Sequence, residues 1–359
     1  MGTNGEEWMS EFDTIKNWPE DGLEWLGHCP VCGASERSVL HEGLRDHVFY
    51  CAPGEWTLFR CQACGSGYLD PRPTCESIGL AYRRYYTHST RPLRPTNELG
   101  WWDRIRRTLA NGYRNYRFGT QLRPASLLGV LAVMLFPSQR SLIDAEGRHL
   151  PRPMEGARLL DVGCGNGDFL GVAQRAGWKG VGVELDAKAA ATARERGFDV
   201  RLGGIEVLDP ENERFDGVTL SHVIEHVHNP LEVLRACRRL LKRGGWIWLE
   251  TPNIEAAGHM RYGACWRGLE PPRHLILFSH ASLTHTLEKA GFRGIQVQAY
   301  RPQCEHMWGA SEAIRQGLDP YTYLESREES LRTAQRADDV AQRTPSVREF
   351  ITVKAWKAH

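Results

Sequence analysis

The feature that most constrains the fold of this chain is a glycine-rich stretch near its middle, Leu159-Leu160-Asp161-Val162-Gly163-Cys164-Gly165-Asn166-Gly167. The apolar run Arg158–Val162 has the length of a buried strand, and the glycines after it let the backbone turn sharply with no Cβ facing a ligand. A helix beginning at Asp168 would point its N-terminal amides at the same turn. The stretch therefore predicts a ligand at the mouth of a parallel sheet, although G-x-G-x-G spacing also suits a turn that holds none.

Strands and helices alternate in the rest of the chain. A second strand at Gly180–Asp186 contains Glu184, about 20 residues after the first strand, where a carboxylate can reach the ribose of a nucleoside. Repeated units of this length predict an α/β fold with a doubly wound, mostly parallel sheet. The alternating segment Glu349–Trp356 is predicted to return to the sheet edge as the last strand. Further strands are predicted at Phe198–Leu202, Phe215–Ser221, Trp246–Glu250 and Gly294–Ala299, and helices at Ala187–Arg196, Pro230–Leu241 and Ser282–Ala290.

Two C-x-x-C-G motifs, Cys29–Gly33 and Cys61–Gly65, stand 28 residues apart near the N-terminus. Each motif places two thiolates on a tight turn, and four thiolates form a closed tetrahedral set of the kind that binds structural zinc. Redox pairs are the alternative. Short strands at Val48–Cys51 and Trp56–Arg60 would complete a zinc ribbon. The predicted zinc ligands are Cys29, Cys32, Cys61 and Cys64.

The domain organisation follows from these motifs and from local composition. An acidic segment (1–27) precedes the zinc ribbon (28–75), and a helical, Arg-rich region (76–154) leads to the glycine-rich domain (155–359), which carries a helical insertion at about 301–347. The region 76–154 suits either a lid over a substrate or a plain connector. Ten arginines lie in 83–123, where they could meet phosphates or form a solvated helical face.

The apolar run Ala125–Phe136 has 12 residues, fewer than the roughly 20 that cross a bilayer. We expect a buried helix there, with peripheral contact to a membrane surface as the alternative. The first residues lack the basic and apolar regions of a signal peptide, and cysteines without a secretory signal favour a reducing compartment. We therefore expect a cytoplasmic protein. A formal net charge of +1 predicts no general attraction to polyanions.

Taken in order, the motifs resemble those of class I S-adenosylmethionine-dependent methyltransferases. The resemblance rests on the glycine-rich turn, Glu184, the segment from Phe215 to Val227, and Leu241–Gly245. In the segment closest to the expected site of methyl transfer, the chain is similar to the ubiquinone-biosynthesis-type O-methyltransferases. It implies a Rossmann-like seven-stranded sheet with an antiparallel last strand, and S-adenosylmethionine as cofactor. The implied cofactor-binding residues are Asp161, Gly163, Gly165, Gly167, Glu184, Leu185, Gly204, Ile205, Ser221 and His222.

The zinc ribbon followed by Gly67–Pro73 and later by Glu270–Leu275 is similar to a bacterial subgroup of these enzymes. Members of that subgroup often accompany glycosyltransferases and polysaccharide assembly enzymes. The resemblance therefore implies a sugar, a polysaccharide precursor or another small hydroxylated metabolite as methyl acceptor.

Methyl transfer to a hydroxyl group needs a base with a pKa near neutrality, and histidine is the natural choice. His226 or His274 is the predicted base, with His222 close to the cofactor and Glu225 on the same turn. Packing of His226 against its helix is the alternative interpretation. The small-RNA 3′-terminal 2′-O-methyltransferases have a similar Glu-x-x-Glu-His arrangement and a later His, so a divalent metal on His222, Glu225, His226 and His274 is a further hypothesis.

Two other functions stay open at the level of sequence. One is methylation of a nucleic acid that the ribbon and the arginines would hold. The fourth predicted strand lacks the Asn/Asp-Pro-Pro-aromatic motif that amino methylation of bases usually requires, which leaves a 2′-hydroxyl group as the acceptor. The other is a protein that binds the cofactor or a partner without transferring a methyl group. The sequence does not indicate an oligomeric state.

Overall fold

The computed structural model describes residues 17–83, 100–211, 214–321 and 328–358. The strands are β1 (Leu23–Glu24), β2 (Arg37–Leu44), β3 (Trp56–Cys61), β4 (Gly67–Leu69), β5 (Arg72–Pro73), β6 (Arg158–Val162), β7 (Lys179–Glu184), β8 (Asp199–Leu202), β9 (Phe215–Ser221), β10 (Leu241–Pro252), β11 (Ile276–Leu277), β12 (Phe292–Val297) and β13 (Phe350–Lys357). The helices are α1 (Trp101–Phe118), α2 (Leu128–Leu135), α3 (Pro137–Glu146), α4 (Asp168–Arg175), α5 (Ala187–Glu195), α6 (Pro230–Leu240), α7 (Ala257–Tyr262), α8 (His280–Lys289), α9 (Cys304–Arg315) and α10 (Glu328–Arg343).

Seven strands form the main sheet in the order β12-β13-β10-β9-β6-β7-β8. The five strands from β10 to β8 in this order pair in parallel, and β13 pairs antiparallel with both β10 and β12. The predicted α/β fold with a mostly parallel sheet and an antiparallel last strand is confirmed. The predicted place of the last strand is wrong, because β13 lies inside the sheet and β12 forms the edge. The alternation along β13 distinguishes its fully buried side chains from its partly buried ones, and it does not indicate which strands flank β13.

Both faces of the main sheet are covered. Neighbouring residues of one strand point to opposite faces, so Leu159 belongs to the same apolar cluster as Trp248 on one face, while Leu160 belongs to another cluster with Leu249 on the other face. The first face is covered by α1 through Tyr113, and the second by α6 and α8. Burial on both faces explains why the sequences of these strands are nearly continuous apolar runs.

A four-stranded sheet in the order β11-β4-β3-β2 joins three strands of the N-terminal ribbon to β11 from the second half of the chain. The strand predicted at Val48–Cys51 is wrong, and Arg37–Leu44 pairs with β3 instead. Asp46 explains the difference, since its carboxylate accepts hydrogen bonds from the backbone N–H groups of Val48, Phe49, Cys51 and Ala52 and so curls this segment into a loop.

The helix expected to be buried at Ala125–Phe136 is observed as α2 but is largely exposed. Leu128 is 68% exposed and Leu135 is 77% exposed, whereas Gly129 and Val133 are buried. The helix touches α1 along a narrow line, at which a Cβ on Gly129 would lie 1.9 Å from the Leu109 carbonyl oxygen. Close approach of the two backbones thus covers one side of α2 and leaves the others uncovered. Within the described ranges, every helix is too short or too polar to span a bilayer.

Candidate active site

The glycine turn joins β6 to α4 at the carboxyl edge of the main sheet. Gly163, Gly165 and Gly167 have φ angles of 69°, 53° and 82°, a region that side chains with a Cβ disfavour. A Cβ on Gly163 would also lie 2.6 Å from Val223 Cγ2. Backbone conformation and space therefore both require glycine here, and the turn presents bare backbone at the sheet edge.

Glu184 ends β7 and binds the glycine turn directly. Its Oε2 accepts a hydrogen bond from the Gly165 N–H at 2.8 Å, and its Oε1 accepts one from the Asp186 N–H at 2.9 Å. Burial raises the pKa of Glu184, although these backbone N–H groups oppose the shift. Leu185 beside it is 76% exposed, an apolar side chain facing solvent at the mouth of the sheet. The predicted pair of glycine turn and acidic strand end therefore lies together in the fold.

The other residues implied to bind the cofactor lie at the ends of neighbouring strands. Gly204 and Ile205 follow β8, and the N–H of the preceding Gly203 donates to the Glu184 carbonyl at 2.9 Å. Ser221 ends β9. Because the carboxyl ends of parallel strands share one edge, these groups lie at the same edge of the sheet as the glycine turn.

Asp161 lies fully buried under the glycine turn. Its Oδ1 accepts a hydrogen bond from the Thr219 hydroxyl at 2.8 Å and forms an ion pair with Arg148. Its Oδ2 is buried and meets no hydrogen-bond partner among the described residues. Burial raises the pKa of Asp161, and Arg148 opposes the shift. The unpaired oxygen fits a ligand that brings a hydrogen-bond donor to this edge. Sequence reasoning missed Arg148, because nothing local marks the residue after α3 as a partner of a strand.

His222 follows β9 and lies between two acidic residues. Its Nδ1 is 3.3 Å from Glu225 Oε1, and its Nε2 is 3.5 Å from Glu250 Oε1. Burial by itself would lower the pKa of His222, but the hydrogen bonds to these carboxylates outweigh it and raise that pKa to about 9. His222 is therefore cationic at neutral pH, a state that suits holding the two carboxylates in place. Glu225 is also fixed by the Thr251 hydroxyl at 2.9 Å.

His226 and His274 lie side by side, with ring centroids 4.7 Å apart. Nδ1 of His226 is 3.0 Å from the Arg273 carbonyl oxygen, and Nδ1 of His274 is 2.8 Å from the Gly268 carbonyl oxygen. A carbonyl oxygen can only accept, so each Nδ1 carries a proton, and in the neutral form of each ring Nε2 is the nitrogen with the lone pair. Burial lowers the pKa of His274 to about 4.

Tyr82, from the N-terminal part of the chain, also reaches this pair. Its hydroxyl oxygen lies 3.0 Å from Nδ1 of His226, and the two rings are 6.1 Å apart. Sequence reasoning missed this residue, since 144 positions separate it from His226 and no spacing rule links them.

Arg273 is fully buried and joins the ribbon to the segment that carries His274. Its guanidinium donates to Asp46 Oδ2 at 3.0 Å, to the Ala81 carbonyl at 2.9 Å and, through Nε, to Glu270 Oε1 at 3.0 Å. Right after His274, β11 pairs with β4 of the ribbon. The segment 270–277 is therefore held by the N-terminal region as well as by the main sheet. Trp266 and Arg273 are both buried and bonded to partners inside the chain, which favours a packing role for each.

Two groups of side chains have the spacing of metal ligands. Ligand atoms of Glu225, His226 and His274 lie within 4.8 Å of one another, whereas His222 is not part of this group. The second group is the four predicted cysteines, in which Cys29 Sγ lies 3.7 Å from Cys64 Sγ and Cys32 Sγ lies 3.5 Å from Cys61 Sγ. Tetrahedral zinc with Zn–S bonds of about 2.3 Å separates its sulfurs by about 3.8 Å. The four cysteines fit a zinc ribbon.

Comparison with known proteins finds similarity to methyltransferases. Residues 138–297 match the family described as "Methyltransferase domain". A ubiquinone biosynthesis O-methyltransferase of Paracidovorax citrulli is 36% identical over 112 residues, 29% of this chain and 47% of the relative. That of Cereibacter sphaeroides is 40% identical over 109 residues, 29% of this chain and 44% of the relative. The chain thus spans less than half the length of these curated relatives. A solved SAM-dependent methyltransferase from Archaeoglobus fulgidus is 23% identical with a TM-score of 0.43, covering 63% of this chain and 99% of that one.

Proposed function

With residues 138–297 forming a class I S-adenosylmethionine-dependent methyltransferase domain, we propose that this protein methylates a hydroxyl group of a small molecule. The acceptor is a sugar, a polysaccharide precursor or another small hydroxylated metabolite. The observation that carries the proposal is the His226–His274 pair, which has two Nε2 lone pairs at the edge where the glycine turn lies.

The cofactor-binding part of the proposal rests on three features of the carboxyl edge. The glycine turn leaves backbone uncovered, Glu184 ends the next strand, and the buried Oδ2 of Asp161 has no partner among the described residues. When bound, S-adenosylmethionine supplies a methyl group on a sulfonium, which is displaced in line by the acceptor oxygen. Glu184 suits contact with the ribose hydroxyls of this cofactor, and Asp161 suits contact with its amino group. Gly204 and Ile205 lie at the same edge of the sheet.

His226 is the better general base of the two histidines. Its side chain is half-buried and can reach an acceptor hydroxyl, whereas His274 is 5% exposed and its pKa of about 4 makes it a weak proton acceptor. The Arg273 carbonyl holds the Nδ1–H of His226, so Nε2 is the atom that would take the acceptor proton. His274 then serves as a neutral neighbour that shapes the site.

Alanine substitution tests this assignment with labelled S-adenosylmethionine and a host extract as acceptor source. His226→Ala should lower turnover by about 100-fold or more, the range of a lost general base, with cofactor binding by calorimetry unchanged. His285→Ala is the matched control, since His285 is an exposed histidine of α8. Turnover in His226→Ala equal to that of the control would refute the base assignment. Restoration of activity by a divalent metal after chelation would instead favour a metal on Glu225, His226 and His274.

Zinc in the ribbon is part of the proposal and has a structural role. Four thiolates fill all positions of a tetrahedral ion, so no site remains for a substrate. Cysteine ligands need a compartment that keeps thiols reduced, which supports a cytoplasmic location. Because β4 and β11 belong to one sheet, loss of zinc would loosen the segment that carries His274.

A further inference from the structure

The uncovered side of α2 is an apolar surface that the rest of the fold does not use. Five leucine and phenylalanine side chains on this side are 61% to 85% exposed, and Met134 beside them is 47% exposed. Such contiguous apolar surfaces are uncommon on soluble proteins and mark interaction sites. We call this surface the α2 patch; it consists of Leu127, Leu128, Leu131, Leu135 and Phe136.

Two exposed tryptophans extend the α2 patch. Gly129 packs against Leu109 and Gly112 against Ser126, so α1 and α2 run antiparallel and the end of α2 points toward the start of α1. Trp101 and Trp102 stand at that start, 65% and 66% exposed, with ring centroids 4.2 Å apart. Tryptophan side chains favour the boundary between water and lipid, where the ring is apolar and the N–H remains solvated.

Exposed arginines lie on the segments that adjoin this apolar surface. Arg104 and Arg106 lie on the first turns of α1, Arg123 precedes α2, and Arg140 lies on α3. On α1 they outnumber the one nearby acid, Asp103. Guanidinium groups near apolar side chains are attracted to the phosphates of anionic lipids, and each adds to the binding of an interfacial helix.

We infer that the α2 patch binds the surface of an anionic lipid bilayer, with its leucines and Phe136 in the acyl boundary and the arginines at the headgroups. A lipid surface is favoured over a protein groove because α2 is apolar on all sides and is covered mainly along the line that meets α1, and because exposed tryptophans and arginines lie on the adjoining segments. The inference goes beyond the proposed methyl transfer, and it is tested without cofactor or acceptor.

Vesicle flotation of the full-length protein tests the inference. The vesicles contain phosphatidylcholine alone or phosphatidylcholine mixed with phosphatidylglycerol. The unmodified protein should float with the anionic vesicles, less with the neutral ones, and less again as salt is raised. Leu131→Ser with Leu135→Ser should weaken binding by about tenfold or more, because two exposed leucines no longer enter the lipid. The control carries Met154→Ser and Leu318→Ser, which remove exposed apolar side chains elsewhere.

Three results would overturn the inference. The first is failure of the unmodified protein to float with anionic vesicles. The second is flotation of the Leu131→Ser, Leu135→Ser variant that equals that of the unmodified protein. The third is a dimer in sedimentation that this variant dissolves while vesicles capture neither protein, which would make a second copy the occupant of the α2 patch. Flotation that follows the leucines and not the control pair supports the lipid surface.

Discussion

The buried ion pair between Asp46 and Arg273 makes the sharpest prediction about how the ribbon supports the candidate active site. The Arg273 side chain is fully buried and that of Asp46 is 1% exposed. The positive charge of Arg273 favours the ionised form of the Asp46 carboxyl group. It therefore lowers the pKa of Asp46, although burial acts in the opposite direction. In Asp46→Ala, Arg273 keeps Glu270 and the Ala81 carbonyl but loses its second carboxylate, and the loop N–H groups bound by Asp46 lose their acceptor.

The expected cost follows from these contacts. Breaking a buried ion pair by removing one partner lowers the free energy of unfolding by about 3–5 kcal/mol. Asp46→Asn keeps the size and one acceptor oxygen, so we expect a smaller loss of about 1–3 kcal/mol. Arg45→Ala is the matched control one residue away, because its ion pair with Glu55 is exposed and is worth about 1 kcal/mol or less.

Urea unfolding followed by tryptophan fluorescence measures these differences. Because the pKa of Asp46 is lowered in the folded protein, the stabilisation should be complete above the unfolded pKa of about 3.9 and should disappear as the pH falls through the folded value. Turnover of Asp46→Ala should fall by about 10- to 100-fold with cofactor binding intact, since Arg273 carries the carbonyl that orients His226. An unfolding free energy for Asp46→Ala that equals that of Arg45→Ala would refute the argument.

Three further predictions concern charge, metal and cofactor. The raised pKa of His222 stabilises the folded protein below about pH 6.5, and this stabilisation is lost as the pH rises through about 9. The melting temperature of the unmodified protein should therefore fall over this pH range, and that of His222→Asn should not. An equal fall in the variant would contradict the prediction. Cys29→Ser should lose bound zinc in atomic absorption, whereas Cys75→Ser, outside the cluster, should keep it. Glu184→Ala should weaken S-adenosylmethionine binding in calorimetry by about 10- to 100-fold, and Glu195→Ala, at an exposed position at the end of α5, should not.

Local sequence patterns predicted the parts of the fold that depend on local interactions. The strand at Arg158–Val162 and the strand at Phe215–Ser221 are observed at the predicted bounds, because apolar runs buried on both faces read directly from sequence. Asp186 caps α5 by accepting a hydrogen bond from the Ala189 N–H at 2.8 Å, a local contact typical of aspartate at a helix N-terminus. The hydrogen bond from the Gly165 N–H to Glu184 follows from the order of neighbouring strands in a parallel sheet.

Long-range pairing is what sequence reasoning could not supply. The partner of β3 depends on Asp46, whose backbone contacts turn Val48–Cys51 into a loop. The contacts of Tyr82 with His226 and of Asp46 with Arg273 join segments that no periodicity relates. The exposure of α2 depends on how narrowly α1 touches it, which the apolar composition of the helix does not report. Each of these features is set by tertiary packing.

Methyl transfer from S-adenosylmethionine to a hydroxyl group is the central claim, and one labelling measurement tests it most directly. The full-length protein is incubated with methyl-labelled S-adenosylmethionine and fractionated host extract, with Glu184→Ala as the matched control. We expect label in the small-molecule or glycan fraction, present with the unmodified protein and reduced with the variant. Label confined to nucleic acid, or no label above that of the extract without the protein, would contradict the claim.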